Sequence, residues 1–242
     1  MKIALISDVH ANLEALEKVL RDIEKEGVEK IHFLGDAVGY GCDPNKCVRL
    51  INKHCDIKLL GNHDYAAMGL ESLENFNYIA QTSIEWTQKK LTDKSIAMLA
   101  DFDMSAVFLD YFLVHSSPGT PEDWDYILGV NEAEEQFSRF EESVCLVGHS
   151  HLPTIFAKKG ENKTSIISKK AIELNKDTKY IVNVGSVGQP RDNDPRACYL
   201  IIDTELPKIY YKRVEYDVEK TQEKMRKAVL PDFLIDRIAL GR

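Results

Sequence analysis

The chain has 242 residues, of which 44% are hydrophobic and 29% charged, and its net charge is −8 at pH 7. A chain of this length can bury a large core without disulfides or a structural metal, so any bound metal would serve chemistry. An acidic protein gains little from the counterion release that drives binding to nucleic-acid backbones, which argues against long DNA or RNA as a partner.

The first part of the chain alternates apolar runs with amphipathic stretches. Residues 3–6 predict a buried strand, and the helical spacing from Leu13 to Ile23 predicts a helix that Gly27 ends. A second strand is predicted at 31–34, a helix beginning at Pro44, and a third strand at 57–60. Residues 65 to about 103 are mostly helical in pattern, with Trp86 on the apolar face. Strands at 111–114 and 144–147 then flank a Pro- and Gly-rich loop (116–121) and a helix at 131–140.

After residue 151 the pattern changes to strands separated by turn signals. Strands are predicted at 154–157, 165–168, 180–184, 198–202 and 209–214, followed by helices at 218–228 and 232–240. This order predicts an α/β fold in which two facing mixed β-sheets are flanked by helices. We predict a single domain over residues 1–242, with no internal repeat.

The cysteines and the hydropathy pattern bear on the cellular compartment. The five cysteines show no CxxC spacing, and the first strand follows Met1 directly, without a signal peptide. No apolar run approaches the roughly 20 residues that span a bilayer. We expect a cytoplasmic protein with reduced cysteines and no membrane partner. The sequence leaves open whether the protein forms homo-oligomers.

Residues able to bind metal follow five of the predicted strands directly. In chain order they are Asp8-Val9-His10, Gly35-Asp36, Gly61-Asn62-His63-Asp64, His115 and Gly148-His149-Ser150-His151. Ligands of open α/β sheets bind beyond the carboxyl ends of the strands, so these side chains are expected to meet. Asp-x-His and Gly-Asp are weak signals alone, because Gly and Asp are common in turns, whereas Gly-Asn-His-Asp and Gly-His-Ser-His are more specific. Together the five motifs predict a metal site. His32 and His54 lie outside these positions and are interpreted as structural or solvated.

The residue types indicate which metals would bind. Imidazoles and carboxylates without thiolates suit manganese, iron, zinc, cobalt or nickel, and we place manganese first. There are more candidate ligands than one tetrahedral zinc requires. Two divalent transition-metal ions about 3.5–4 Å apart, sharing a carboxylate, are common in phosphatases and nucleases.

The series from Asp8 to His151 resembles the calcineurin-like metallophosphoesterase superfamily, in particular its small prokaryotic phosphodiesterase and diadenosine tetraphosphatase-like branch. The resemblance implies a four-layer α/β/β/α sandwich with a dinuclear metal site. It also implies a division of the ligands: Asp8, His10 and His151 on one metal, Asn62, His115 and His149 on the other, and Asp36 bridging the two.

The resemblance further implies a hydrolytic mechanism. A hydroxide held by the two metals attacks the phosphorus in line with the leaving group, and His63 protonates the departing oxygen. Asp64 is the nearest carboxylate in sequence and is the candidate partner of His63. Protein serine/threonine phosphatases of the superfamily follow the bridging Asp with Val-Asp-Arg-Gly. Here Ala37-Val38-Gly39-Tyr40 lacks that Asp and Arg, which argues against protein phosphatase activity.

The segment from Asn183 to Arg191 predicts a substrate contact. Its glycines would let backbone N–H groups approach an anion, and Gln189 and Arg191 are candidate phosphate-binding residues. The alternative is a tight loop with Arg191 in a surface ion pair. Tyr40 and Trp124 are candidates to stack on a base, with core packing as the alternative.

We expect a small phosphorylated substrate, with nucleotides among the candidates. A phosphodiester, a phosphomonoester and a dinucleoside polyphosphate all fit the motifs. Two alternative functions remain open: a catalytically silent binding scaffold of the same fold, and a metal-dependent nuclease. The presence of His63 and of every expected ligand argues against the scaffold.

Overall fold

The apolar runs of the sequence form two six-stranded sheets. The computed structural model describes the backbone of residues 1–242 and all side chains except that of Asn75. In spatial order, the first sheet contains β3 (Ile57–Lys58), β2 (Lys30–Phe33), β1 (Lys2–Ile6), β11 (Ala197–Asp203), β12 (Lys208–Val214) and β9 (Ala171–Glu173). The second contains β4 (Ser105–Phe108), β5 (Tyr111–Val114), β6 (Val144–Val147), β10 (Lys179–Asn183), β7 (Thr154–Lys158) and β8 (Ser165–Ile166).

The helices occupy the connections and the end of the chain. They are α1 (Leu13–Lys25), α2 (Pro44–His54), α3 (Asn62–Ala67), α4 (Tyr78–Lys90), α5 (Asp93–Ala100), α6 (Val130–Gln136), α7 (Val218–Lys227) and α8 (Asp232–Leu240). Within the described residues, no helix combines the length and apolar character needed to cross a membrane.

Both sheets are mixed. β1, β2 and β3 are parallel, and β11 joins β1 in the antiparallel sense with Lys2 opposite Asp203. In the second sheet β5, β6 and β10 are parallel, and β7 is antiparallel to β10. The predicted fold of two mixed sheets flanked by helices is therefore confirmed. Parallel strands end at one edge of their sheet, so the residues that follow them gather there.

Alternation along the central strands creates the layers. Ile3 and Leu5 of β1 face the second sheet and pack with Leu146 of β6. Ala4, between them, points the other way and shares a core cluster with Leu16 of α1. The outer face of the second sheet packs against α6. The layers are therefore ordered helix, sheet, sheet, helix. Successive side chains of a strand point to opposite faces, so a strand covered on both faces carries apolar residues on both.

Several elements differ from the sequence prediction. The strands predicted at 57–60 and 165–168 end at Lys58 and Ile166. β4 and β9 were not predicted: β9 is a three-residue edge strand with mostly exposed side chains, whereas β4 contains the apolar run 106–108, which the prediction passed over. The helix predicted to end at residue 140 ends at Gln136. Phe137 and Phe140 follow the helix and are still buried. Their apolar side chains therefore pack into the core from a turn and do not indicate a longer helix.

Asn12 connects a helix start to the region beyond the strand ends. Its side chain caps α1 by accepting from the Ala15 N–H at 3.2 Å, and its amide group donates to the Gly188 carbonyl at 2.9 Å. A polar N-cap satisfies one of the free N–H groups of the first helical turn. The same residue therefore anchors the loop that contains Gln189 and Arg191.

Candidate metal centre

The loops after the strands bring the predicted ligands into two groups. In each group, ligand atoms lie within 4.8 Å of one another, and all the residues are buried. The first group is Asp8, His10, Asp36 and His151, and the second is Asp36, His115 and His149. Asp36 belongs to both. The structure therefore holds two buried His/Asp clusters that share a carboxylate, which is the arrangement of a dinuclear metal site.

Asn62, the remaining predicted ligand, begins α3 beside these groups. The neighbouring His63 N–H donates to the Asp36 carboxylate at 2.9 Å, which places the start of α3 at the shared carboxylate. The Asn62 side-chain oxygen is buried and has no hydrogen-bond partner among the described residues. It is thus available as a further oxygen donor.

The backbone of the ligand loops is unusual. Asp8, His10, Asp36, His149 and His151 all have positive φ angles, between 47° and 65°. Residues other than glycine rarely adopt this left-handed region, and it costs of order 1–3 kcal/mol where it is strained. Such conformations persist where the surrounding structure enforces them, and they concentrate at functional sites.

The glycines of the motifs make room for the ligands. A Cβ atom on Gly61 would overlap the Asp36 carboxylate. Gly35 has a φ of +99°, and a Cβ there would lie 2.6 Å from Nδ1 of His115. Any larger residue at either position would therefore displace a member of the clusters.

Hydrogen bonds determine which imidazole nitrogen faces the site. His10, His115 and His151 each bond through Nδ1 to a backbone carbonyl. The accepting carbonyls are those of Val38, Leu34 and Gln189, at 3.0, 2.7 and 2.6 Å respectively. A carbonyl only accepts, so Nδ1 carries the proton and Nε2 presents a lone pair. His149 is reversed: Nε2 donates to the Trp124 carbonyl at 2.8 Å, which leaves Nδ1 as the free donor atom.

Burial controls the charge of most of these imidazoles. It lowers the pKa of His149 to about 3 and holds the pKa values of His10 and His151 well below the ordinary value. His115 differs: burial opposes its charge, but the Asp36 carboxylate, 3.4 Å away, outweighs burial and raises the pKa to about 9. Three of the four imidazoles are therefore neutral near pH 7, which is the form that binds metal.

The two carboxylates respond to the same surroundings in opposite directions. Burial opposes the charge of Asp36, yet the imidazoles of His115 and His63 hold its pKa below the usual range. For Asp8, burial and the charge of Asp36 together raise the pKa to about 7. A cation placed between the two carboxylates would relieve this repulsion.

Several donor atoms lack a partner within the described part of the chain. Asp8 Oδ2 and the side-chain oxygen of Asn62 are buried without a hydrogen bond, and His115 Nε2 has only the ion pair with Asp36 at 3.4 Å. Leaving such atoms unpaired costs about 1–3 kcal/mol each. They belong to residues of the two clusters and of the adjoining α3, and they are oxygen and nitrogen donors of the kind that divalent transition metals accept. The residues present therefore fit two such ions.

The structure corrects the prediction for Asp64. Its two oxygens accept from the N–H groups of Ala37, Val38 and Gly61 at 3.0–3.1 Å. His63 Nδ1 is buried without a hydrogen-bond partner among the described residues. Asp64 therefore does not orient His63. Its buried carboxylate holds the loop after β2 against the start of α3, and it is a positioning residue for Asp36 and Asn62.

His63 lies among aromatic rings beside the clusters. Its ring centroid is 4.4 Å from that of Tyr40, 4.9 Å from that of His10 and 5.6 Å from that of Phe76. Burial lowers the pKa of His63 to about 4, although Asp36 opposes this. Donating a proton therefore requires a nearby anion, such as a bound phosphate, which favours the imidazolium.

The predicted substrate-binding residues lie on one side of the site. Arg191 donates to the Gln189 side-chain oxygen at 3.0 Å, and its guanidinium is 5.8 Å from the Tyr40 ring centroid. Gln189 is 1% exposed and lies behind the ligands, where its carbonyl orients His151. Its direct contact with a substrate remains a prediction. Tyr40 packs against the rings of His10 and His63, so core packing is its observed role.

A cleft of about 460 Å³ opens beside Asn62, His63 and His149. Aromatic side chains line its walls: Tyr40, Phe76, Trp124 and Tyr126. The Tyr126 ring stacks on His149 with centroids 3.9 Å apart. Sequence patterns did not indicate Phe76 or Tyr126, because both lie in segments without a motif and reach the site only through the fold.

The two other histidines lie outside the site, as predicted. His32 is buried against the Phe108 ring at 4.7 Å, and its Nδ1 lies 3.4 Å from the Ile57 N–H. His54 is exposed at the end of α2. Neither belongs to a metal-binding group.

Comparison with known proteins agrees with this geometry. Residues 1–206 match the calcineurin-like phosphoesterase superfamily domain. An uncharacterized protein of Methanocaldococcus jannaschii is 40% identical over 244 residues, covering 99% of this chain and 98% of that protein. The structure resembles a metallophosphoesterase of Sphaerobacter thermophilus (TM-score 0.88, 38% identity, 100% and 99% of the chains covered). A hypothetical protein of Pyrococcus horikoshii shares the fold (TM-score 0.79, 19% identity, 100% and 98% covered). The chain belongs to the calcineurin-like phosphoesterase superfamily.

Proposed function

We propose that the protein is a metal-dependent phosphoesterase that hydrolyses phosphate esters at a centre of two divalent ions. The observation that carries the proposal is the convergence of buried His and Asp side chains into two groups that share Asp36. The similar protein of Sphaerobacter thermophilus is a metallophosphoesterase, which supports the same class. Phosphodiesters, phosphomonoesters and dinucleoside polyphosphates are the candidate substrates.

The ligands divide between two positions. Asp8, His10 and His151 would hold one ion, Asn62, His115 and His149 would hold the other, and Asp36 would be shared by both. When bound, the ions supply hydroxide near neutral pH and stabilise charge that develops on the phosphoryl oxygens. Manganese is the first candidate, with iron, zinc, cobalt and nickel as alternatives that the same donors accept.

The remaining residues act on the substrate. His63 stands at the cleft wall and protonates the leaving oxygen once the phosphate anion raises its pKa. The rings of Tyr40 and His10 pack against His63 and restrict the orientation of its imidazole. Arg191, whose guanidinium donates to Gln189 and lies 5.8 Å from the Tyr40 ring centroid, binds a phosphoryl oxygen.

A screen of metals against substrates tests the proposal. Metal-depleted protein is supplied with Mn²⁺, Fe²⁺, Zn²⁺, Co²⁺ or Ni²⁺ and assayed on p-nitrophenyl phosphate, bis-p-nitrophenyl phosphate and diadenosine tetraphosphate. We expect hydrolysis that depends on metal and is lost in Asp36→Asn. His54→Asn, a change at an exposed histidine, is the matched control and retains activity. Protein that binds metal but cleaves none of these esters would refute the proposal and favour a binding scaffold.

A further inference from the structure

The cleft beside His63 is the space next to the proposed proton donor. His63 is 4% exposed, its Nδ1 has no hydrogen-bond partner among the described residues, and it lines the cleft together with Asn62 and His149. A general acid must lie within reach of the oxygen to which it gives its proton. With His63 as the donor, the alcohol that leaves the phosphorus therefore lies in this cleft, and the cleft lining selects it.

Aromatic rings from two segments line the cleft. Phe76, just before α4, meets the His63 ring edge-on with the centroids 5.6 Å apart. Trp124 and Tyr126 belong to the loop before α6, and both contact His149. The Trp124 carbonyl accepts from its Nε2 at 2.8 Å, and the Tyr126 ring stacks on its imidazole. The rings on this loop are therefore held against a ligand of the proposed metal centre.

The formally charged side chains of the cleft are carboxylates. Glu71 and Asp123 line it, whereas no lysine or arginine is among the described residues of the lining. Arg191, 5.8 Å from the Tyr40 ring centroid, lies outside the lining. Glu71 Oε2 is buried without a hydrogen-bond partner in the described part of the chain. Among the described residues, neither carboxylate forms an ion pair with a lysine or arginine.

Rings and unpaired carboxylates together favour a cation. The faces of Trp, Tyr and Phe attract ammonium groups, and aromatic sites of this kind recognise quaternary ammonium ligands. The two carboxylates add Coulombic attraction, which is stronger where water is partly excluded. A phosphate chain in the same place would meet two carboxylates and no basic side chain of the lining. A neutral apolar alcohol would leave the buried Glu71 oxygen without a partner.

We propose that the cleft binds a positively charged leaving group, so that the preferred substrates are phosphate esters of an alcohol that carries an amino or quaternary ammonium group. Hydroxide adds to the phosphorus, the P–O bond to the alcohol breaks, and the alcohol oxygen takes the proton from His63. The alcohol keeps its positive charge throughout, opposite Glu71 and Asp123. This inference rests on the proposed phosphoesterase function and narrows its substrate class.

Two alcohols that differ in charge test the cleft. Choline has a quaternary nitrogen where 3,3-dimethylbutan-1-ol has a carbon, so the two share their shape and hydroxyl group. Trp124 is one of two tryptophans, and in Trp86→Phe protein its fluorescence reports on the cleft alone. With Zn²⁺-loaded Trp86→Phe protein, we expect choline to bind at least about tenfold more tightly than the neutral alcohol.

Variants of the two carboxylates identify the source of the preference. Glu71→Gln combined with Asp123→Asn removes both charges and should reduce the ratio of affinities by about fivefold, which leaves the contribution of the rings. Glu122→Gln is the matched control, because Glu122 is exposed next to Asp123 and lies outside the lining. The ratio should be unchanged in this control.

The outcomes separate the cleft from the overall function. Equal affinities for the two alcohols, or an unchanged ratio in the double variant, overturn the cationic leaving group even if esters are hydrolysed. Failure to hydrolyse any ester overturns the proposed function, while the titration, which needs no turnover, still decides the charge preference of the cleft. Circular dichroism checks that the double variant folds. If it does not, Asp123→Asn alone, at an exposed residue, decides through the same ratio.

Discussion

Metal loading should raise the thermal stability of this protein substantially. In the metal-free state, the clusters hold two buried carboxylates and several donor atoms without partners, so a cation bound there stabilises only the folded chain. One site filled at a hundred times its Kd adds about 2.7 kcal/mol. Two sites add about 5 kcal/mol, which for a chain of this size corresponds to a rise in Tm of about 10–20 °C.

Differential scanning fluorimetry of chelator-treated protein measures this shift as Mn²⁺ is titrated. The midpoint should continue to rise with the logarithm of the Mn²⁺ concentration after both sites are filled. Asp36→Asn removes the shared ligand and should lose most of the shift, whereas His54→Asn should keep all of it. No change in Tm at millimolar concentrations of any tested transition metal would contradict the assignment of a metal centre.

Three substitutions give further expectations. Asp36→Asn should reduce the bound metal measured by atomic emission below two ions per chain and lower kcat by at least about a thousandfold, because both positions share this ligand. His63→Gln should keep the metal content and slow hydrolysis by about 10²–10⁴, with a smaller loss for leaving groups of low pKa; equal losses would exclude proton donation by His63. Asp64→Ala should destabilise metal-free protein by about 3 kcal/mol in urea unfolding, because buried N–H groups lose their acceptor. Asp177→Ala, at an exposed aspartate, is the control and should change stability by less than about 0.5 kcal/mol.

The strand-end positions of the metal ligands could be predicted because two local signals coincide. Asp8 and Asp36 each follow a short apolar run, and buried parallel strands place their carboxyl ends at one edge. β1 pairs with β2, and β5 pairs with β6, in the parallel sense. The loops that follow these strands therefore lie at the same edge of each sheet. Local pattern and topology together therefore determine where the clusters lie.

Side-chain partners could not be predicted from adjacency. Asp64 is next to His63 in sequence, yet its carboxylate bonds to Ala37 and Val38, which come from a distant loop. The direction of a side chain at a helix start depends on which N–H groups the neighbouring loop presents, and no sequence spacing encodes that. Asp64 also completes the first turn of α3 by accepting from the Gly61 N–H, as acidic residues at this position often do.

Contacts between segments that are far apart in the chain are a second feature that the sequence does not predict. Asn193 and the end of α8 are far apart in the chain, and only the fold brings them together. The edge strand β9 was missed because its three residues, two of them exposed, form no apolar run. Patterns report burial against a continuous core, so features built at the periphery of the fold leave little trace in the sequence.

The ligand loops are held in place by the protein itself. The N–H groups of Asp8, His10 and Ala11 donate to the carbonyls of Gly35, Asp36 and Ala37 at 2.9–3.0 Å, so the loops after β1 and β2 pair along their length. These bonds support the left-handed conformations of Asp8, His10 and Asp36 without help from a cation. Metal should therefore bind a preformed site and raise Tm without a large change in far-UV circular dichroism. A marked gain of secondary structure on adding Mn²⁺ would show instead that the metal assembles the loops.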